Sequence, residues 1–190
     1  MKQLGIIVIL TTTLTGTVAM AETGRTDCPP EAQLEIDATF GAGASTLTDC
    51  LVARKRLPVA ITWNNALMNP QAGIAQQVRI VEQMIDNYEL MYGMVFGKDY
   101  SIAVQAYAAG GRWLLNDDAY NRSFGVATGN PSGAAVRKLL AKGVPISMCQ
   151  ATMRANNWVM NDLIPEVRMV PGGVTAVLDL QRRGYLHVNP

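Results

Sequence analysis

The residue best placed in this chain to do covalent chemistry is Cys149. It closes the apolar run Val144-Pro-Ile-Ser-Met148 and is followed at once by the helix-forming stretch Gln150-Ala-Thr-Met-Arg-Ala155. A thiol at a strand-to-helix turn sits among free backbone N–H groups at the positive end of a helix dipole, and both favour the thiolate. A free cysteine ionises near pH 8.5, so lowering that value by roughly one unit multiplies the nucleophile severalfold at neutral pH. The competing reading is a small buried hydrophobe at the end of a strand, which is how many unpaired cysteines are used.

Other constellations carry less. The single His187 has no neighbouring Cys or His at metal-ligand spacing, so no metal site is expected. The stretch Gly125-Val-Ala-Thr-Gly-Asn-Pro-Ser-Gly133 lacks the Gly-Lys-Ser/Thr ending of a phosphate cradle. Asp117-Asp118 reads as a turn cap rather than an acid–base pair. Asn121-Arg-Ser123 fits a glycosylation sequon, which matters only in a eukaryote. The ten methionines fall largely on inward-facing positions and read as core filling, while Trp63 and Trp113 are candidates for the wall of a pocket.

The amino terminus sets the compartment. Met1-Lys-Gln-Leu-Gly-Ile-Ile-Val-Ile-Leu10 gives one positive charge and then an apolar run, continuing to Ala19-Met20-Ala21, a small-residue cleavage pattern. Residues 1–21 are therefore expected to be a secretory signal peptide, because Thr11, Thr12, Thr13, Thr15 and Gly16 break the run too early for a membrane span. Export exposes three cysteines to an oxidising compartment, and an odd count leaves one unpaired. Pairing Cys28 with Cys50 in an N-terminal extension over residues 22–56 leaves Cys149 free; a bridge from Cys149 to either of the others stays open at this level.

Charge is nearly balanced, with Lys+Arg 16 against Asp+Glu 15, and the one dense basic cluster is Arg54-Lys-Arg56. That excludes a nucleic-acid partner held by a phosphate-binding stripe. No membrane contact is expected once the leader is removed. At 49% hydrophobic the chain can bury a substantial core and keep apolar surface for subunit contacts.

The elements that must position Cys149 follow from Leu57 onward. Leu57–Trp63 and Ser101–Tyr107 read as buried strands. Asn69-Pro70 reads as the cap and first turn of a helix with an apolar face at Ile74, Val78, Val81, Ile85, Tyr88 and Tyr92. Gly110-Gly111 breaks the second strand, and the polar, aromatic stretch Arg112–Phe124 is expected to be a lid or an assembly surface. Asn130-Pro131 opens a further helix ending at Gly143. The Cys149 strand and its helix follow, then a strand over Glu166–Val170, a helix over Gly173–Arg183 and a last strand over Tyr185–Val188. Such alternation implies a mostly parallel sheet with helices on both faces, and ligands then sit at the carboxyl ends of the strands. That edge collects Asn64-Asn65, Tyr107–Gly111, Cys149-Gln150 and Pro171-Gly172-Gly173.

Three segments carry a family likeness: Gly143-Val-Pro-Ile-Ser-Met-Cys-Gln-Ala-Thr-Met153, Asp162-Leu-Ile-Pro-Glu-Val-Arg-Met-Val-Pro-Gly-Gly-Val174, and the ending Leu180-Gln-Arg-Arg-Gly-Tyr-Leu-His-Val-Asn-Pro190. Over roughly residues 57–190 the chain resembles the DsrE/DsrF-like family, in particular its exported single-domain members. The resemblance implies an α/β fold, a three-layer α/β/α domain with a mostly parallel five-stranded sheet, commonly assembled into trimers or hexamers. It further implies that Cys149 carries sulfane sulfur as a persulfide. The helix start adds Gln150 and Thr152 as stabilisers of its thiolate, and the strand-end rule adds Asn64, Gly110 and Gly111 as the lining of its pocket. The expectation is a periplasmic sulfur carrier or sulfurtransferase-type protein without a cofactor, working between sulfur donor and acceptor proteins. The alternative is a binding or assembly module of the same fold with an inert Cys149. A flavin or nucleotide site would rest on fold analogy alone.

Overall fold

The computed structural model describes residues 28–48, 50 and 56–190. The expected signal segment, Arg54 and Lys55 lie outside the described residues. The strands are β1 (Leu57–Trp63), the two-residue pair β2 (Met68–Asn69) and β3 (Ile74–Ala75), β4 (Tyr100–Ala106), β5 (Ile146–Cys149), β6 (Arg168–Val170) and β7 (Leu186–Val188). The α-helices are α1 (Pro30–Phe40), α2 (Gln76–Asp86), α3 (Asp117–Phe124), α4 (Gly133–Ala141), α5 (Gln150–Ala155) and α6 (Gly173–Arg182). Five strands form one sheet in the order β6-β5-β4-β1-β7, and each neighbouring pair runs parallel.

The central strands are apolar on both faces because both faces are covered. Val59, Ile61 and Trp63 of β1, with Ile102, Val104 and Ala106 of β4 and Ile146 and Met148 of β5, face a core completed by Val78, Val81 and Ile85 of α2 and Val136 and Leu139 of α4. The alternate positions Ala60, Thr62, Ala103 and Gln105 are buried as well. They must point to the opposite face, where α6 packs over β1 and β4 and buries Val177. This α/β/α sandwich is the three-layer architecture expected from the sequence.

Chain direction creates one special place in the sheet. From β1 the chain steps outward through β4, β5 and β6, then α6 carries it back across β4 and β1 to pair β7 on the far side of β1. After β5 the chain enters α5, whose Met153 joins the main core, whereas after β6 it enters α6 on the other face. The connections leave adjacent strand ends toward opposite faces, and a crevice at the carboxyl ends of β5 and β6 is the geometric consequence.

Several local expectations change. Asn69-Pro70 does not start a helix: it turns the β2–β3 hairpin, where Asn69 Oδ1 accepts from Ala72 N at 2.7 Å and Gly73 closes the turn at φ 66°. An Asx turn competes with a helix cap for the same side chain, and here it wins. The helix begins at Gln76 and runs on as a π-helix over Asn87–Met91. The stretch Arg112–Phe124 is neither lid nor assembly surface at its start, since Trp113, Leu114 and Leu115 are buried. It supplies α3, capped by Asn116 Oδ1 accepting from Ala119 N at 2.9 Å. Asn130 spends its side chain on the Trp113 and Leu115 carbonyls and on Ser132 N, so α4 opens at Gly133 rather than at Pro131. Trp63 and Trp113 lie in the core.

The N-terminal extension holds a helix the composition did not suggest. Pro30 sits at the start of α1 and Gly41, at φ 104°, follows its end. Cys28 and Cys50 are joined by a disulfide across a sequence separation of 22. The bridge, Ala32 and Ile36 form a small second core against Leu90, Met91 and Tyr92, so the extension is clamped onto the end of the α2 segment. Replacing both cysteines by serine is expected to cost about 3 kcal/mol of stability, the chain-entropy value for a loop of this size. Urea unfolding should show the lowered midpoint, and hydrogen exchange should quicken in residues 30–47 while β1 and β4 stay protected. An unchanged midpoint would mean that α1 is held without the bridge.

Candidate functional site: a buried thiol at the β5–β6 crevice

Cys149 is the last residue of β5 and the N-cap of α5, with extended backbone at φ −73° and ψ 120°. Met148 points into the main core, so alternation turns Cys149 toward the face that carries α6. There its Sγ accepts the backbone N–H of Gly173, the first residue of α6, at 3.2 Å. Two segments twenty-four residues apart therefore meet at the sulfur, each offering the donors of a helix start.

Two opposing effects act on this thiol. Burial pushes its ionisation up, and the residue is only 5% exposed. Against that stand the N–H of Thr152, the N–H of Gly173, the Thr152 hydroxyl and the N–H of Ala151, which together hold the pKa below the ordinary thiol value. The Thr152 hydroxyl is pre-aimed, because its Oγ1 already accepts from Ala108 N at 2.9 Å and its own hydrogen is left for the sulfur. Ala108 holds that N–H in place with φ 48°, a left-handed conformation that costs a non-glycine residue roughly 1 kcal/mol.

A folded-state value below the unfolded one ties ionisation to stability. The thiolate contributes to stability above the unfolded pKa of about 8.5, and the contribution is lost as pH falls through the lower folded value.

Glycines let these segments approach. A Cβ on Gly173 would come within 2.8 Å of Tyr107 Cβ and Cδ1. On Gly111 it would press on Met148 and on Thr152 Cγ2 at 3.1 Å, and on Gly110 it would overlap the Trp63 carbonyl. Gly110 and Gly111 thus let the turn after β4 lie flat on the ends of β1 and β5.

The expected site residues divide into two groups. Thr152 belongs to the sulfur environment, Gly111 packs on Met148 and on the Thr152 methyl, and Gln150 is exposed at the start of α5. Asn64 is committed elsewhere: its backbone N–H meets Gln77 Oε1 at 2.8 Å, and its Nδ2 donates to Asn189 Oδ1 at 3.0 Å. The buried Gln77 also donates to the Thr62 and Pro190 carbonyls, tying α2 and residues 189–190 to the end of β1. Gly110 packs on that strand end rather than on the sulfur. Gly173, Ala151 and the Tyr107-Ala108 turn are the members that sequence reasoning did not single out. The rule that strand ends share an edge gathered Gly173 and Tyr107 there, but no spacing signal placed a particular N–H on the sulfur.

Two open clefts lie away from the sulfur. One, of about 750 Å³, is lined by Asp117, Asp118 and Glu166, and another, of about 770 Å³, by Arg79, Glu82 and Lys138. Among the described residues no group of three or more His, Cys, Asp or Glu is placed to hold a metal ion, and no helix is long and apolar enough to cross a membrane.

A doubly wound α/β/α domain with one thiol at its switch crevice is the class of protein that fold and site define. The sequence profile of the DsrE/DsrF-like family matches residues 71–190, and the chain belongs to that family. The matched range begins after β1, although β1 pairs with β4 along its whole length. Among solved structures, the chain is similar to a protein of unknown function, MTH1491, from Methanobacterium thermoautotrophicum. The two are 20% identical with a TM-score of 0.51, over 72% of this chain and 99% of that one, a likeness of fold. No curated protein matches the chain.

Thr152→Val keeps the side-chain shape while removing the hydroxyl that faces the sulfur. It should make Cys149 a roughly tenfold weaker acid, the size expected for losing one hydrogen bond to a charged group. Thr152→Ser should restore most of the effect. Thiolate ultraviolet absorbance followed against pH reads it, and superimposable titrations of wild type and Thr152→Val would remove the hydroxyl from the sulfur's donors.

Proposed function

We propose that the protein is a periplasmic sulfur carrier that holds sulfane sulfur as a persulfide on Cys149. The observation that carries this reading is the Gly173 N–H bonded to Cys149 Sγ at the β5–β6 crevice, because it places donors where a thiolate needs them. A persulfide anion needs the same donors. In loading, the Cys149 thiolate attacks a sulfane sulfur of the donor, a new S–S bond forms, and the donor's S–S bond breaks with its electron pair leaving on the departing thiolate. In delivery, an acceptor thiolate attacks the outer sulfur and Cys149 leaves as the thiolate, so no external oxidant or reductant enters either step.

Export supplies the setting for this reading: the expected leader and the Cys28–Cys50 bridge both suit an oxidising compartment. Donor and acceptor proteins would be the partners. A homo-oligomer, a trimer or hexamer, is part of the proposal, supported by exposed apolar side chains at Val174 and Leu178 on α6 and Leu186 and Val188 on β7. One observation favours the second reading, an assembly module with an inert cysteine: the sulfur is almost wholly covered.

The two are separated by incubating the mature protein with polysulfide and measuring its intact mass. The carrier reading expects a gain of one sulfur atom that dithiothreitol removes and that Cys149→Ser does not acquire. Absence of that gain, in protein whose Cys149 reacts with alkylating reagents only after denaturation, would favour the inert module.

A further inference from the structure

We infer that Tyr107 is the gate of the Cys149 site, selecting small sulfur species over bulky ones. The inference deepens the carrier reading and rests on it for its biological meaning, although the gate itself can be tested without it.

Tyr107 follows the end of β4 and is fixed from four sides. Its N–H donates to the Trp63 carbonyl at 2.9 Å and its carbonyl accepts from Gly110 N at 3.1 Å. The next residue, Ala108, is held in its left-handed conformation by the bond to Thr152 Oγ1. Its side chain lies on Gly173, whose missing Cβ would fall 2.8 Å from Tyr107 Cβ and Cδ1. Gly173 is the residue whose N–H holds the sulfur. The ring therefore packs against the backbone of the sulfur's own donor.

Gly111, Thr152 and Gly173 are buried and Ala108 and Ala151 are exposed, while Tyr107 is partly exposed and brings a large, rotatable side chain to the Gly173 backbone. Covering by a side chain on a well-bonded backbone gives a gate that opens by ring rotation, without unfolding a helix. A small anion needs a slight displacement; a bulky reagent or an acceptor protein's thiol needs the ring to leave Gly173. The small donor class is the inorganic polysulfide anion. Its attack balances as thiolate plus a chain of n sulfurs giving the Cys149 persulfide plus a chain one sulfur shorter, with the dianionic charge kept on the chain.

The test compares the rates at which Cys149 reacts with a small thiol reagent, methyl methanethiosulfonate, and a bulky aromatic disulfide, dithiobis(nitrobenzoate). In the wild-type protein the bulky reagent should be slowed, relative to the denatured protein, at least about tenfold more than the small one. Tyr107→Ala should raise the bulky-reagent rate by about tenfold and the small-reagent rate by less than about threefold, and Tyr107→Phe should match wild type. Equal slowing of both reagents in wild type overturns the gate even if Tyr107→Ala fails to fold. So does a Tyr107→Ala protein in which both rates rise together. Failure of the carrier reading looks different: the reagent selectivity is present and lost in Tyr107→Ala, yet polysulfide adds no sulfur to either protein.

Discussion

The bond from Gly173 N–H to Cys149 Sγ is the contact on which the rest of the site depends. It exists only because β5 and β6 are adjacent while their following helices leave toward opposite faces of the sheet. Had the chain continued outward after β6, α6 would not start beside the sulfur. The contact also needs a residue without a side chain at the first position of α6, since Tyr107 occupies the space a Cβ would take. Topology brings the segments together and glycine sets how closely they approach.

Burial and hydrogen bonding oppose each other at this sulfur. Removing a thiolate from water is costly, and a hydrogen bond to a charged group recovers only about 1.5–3 kcal/mol. Burial disfavours the thiolate, and four directed groups together hold the pKa below the ordinary thiol value. Ala108 shows where part of the cost falls, because its strained backbone aims the N–H that orients Thr152. Local strain thus helps to set the donors around a sulfur that is kept out of bulk solvent.

Much of this was legible in the sequence, for identifiable reasons. Leu57–Trp63 reads as a buried strand from its unbroken apolar run, and Ile146–Cys149 reads from an apolar run that gives way at once to a helix-forming stretch. The strand-end rule placed Cys149, Tyr107 and Gly173 on one edge. What was not legible depends on choices a side chain makes between equivalent partners. Asn69 and Asn130 each had a helix cap available, and each bonds a turn or a distant carbonyl instead. Asn64 lies on the correct edge, yet Gln77 and Asn189 claim it, and a pairing with a residue 125 positions away leaves no local trace. Helix α1 was hidden because its stability comes from the disulfide and from Leu90, Met91 and Tyr92 rather than from its own periodicity.

The central claim is that Cys149 ionises below the ordinary thiol value despite its burial. The rate of its reaction with a small alkylating reagent, followed against pH in the folded protein, measures this directly. The account predicts an inflection below the ordinary thiol value of about 8.5. An inflection at or above that value would mean that burial outweighs the Gly173, Thr152 and Ala151 donors and that Cys149 is a neutral core residue.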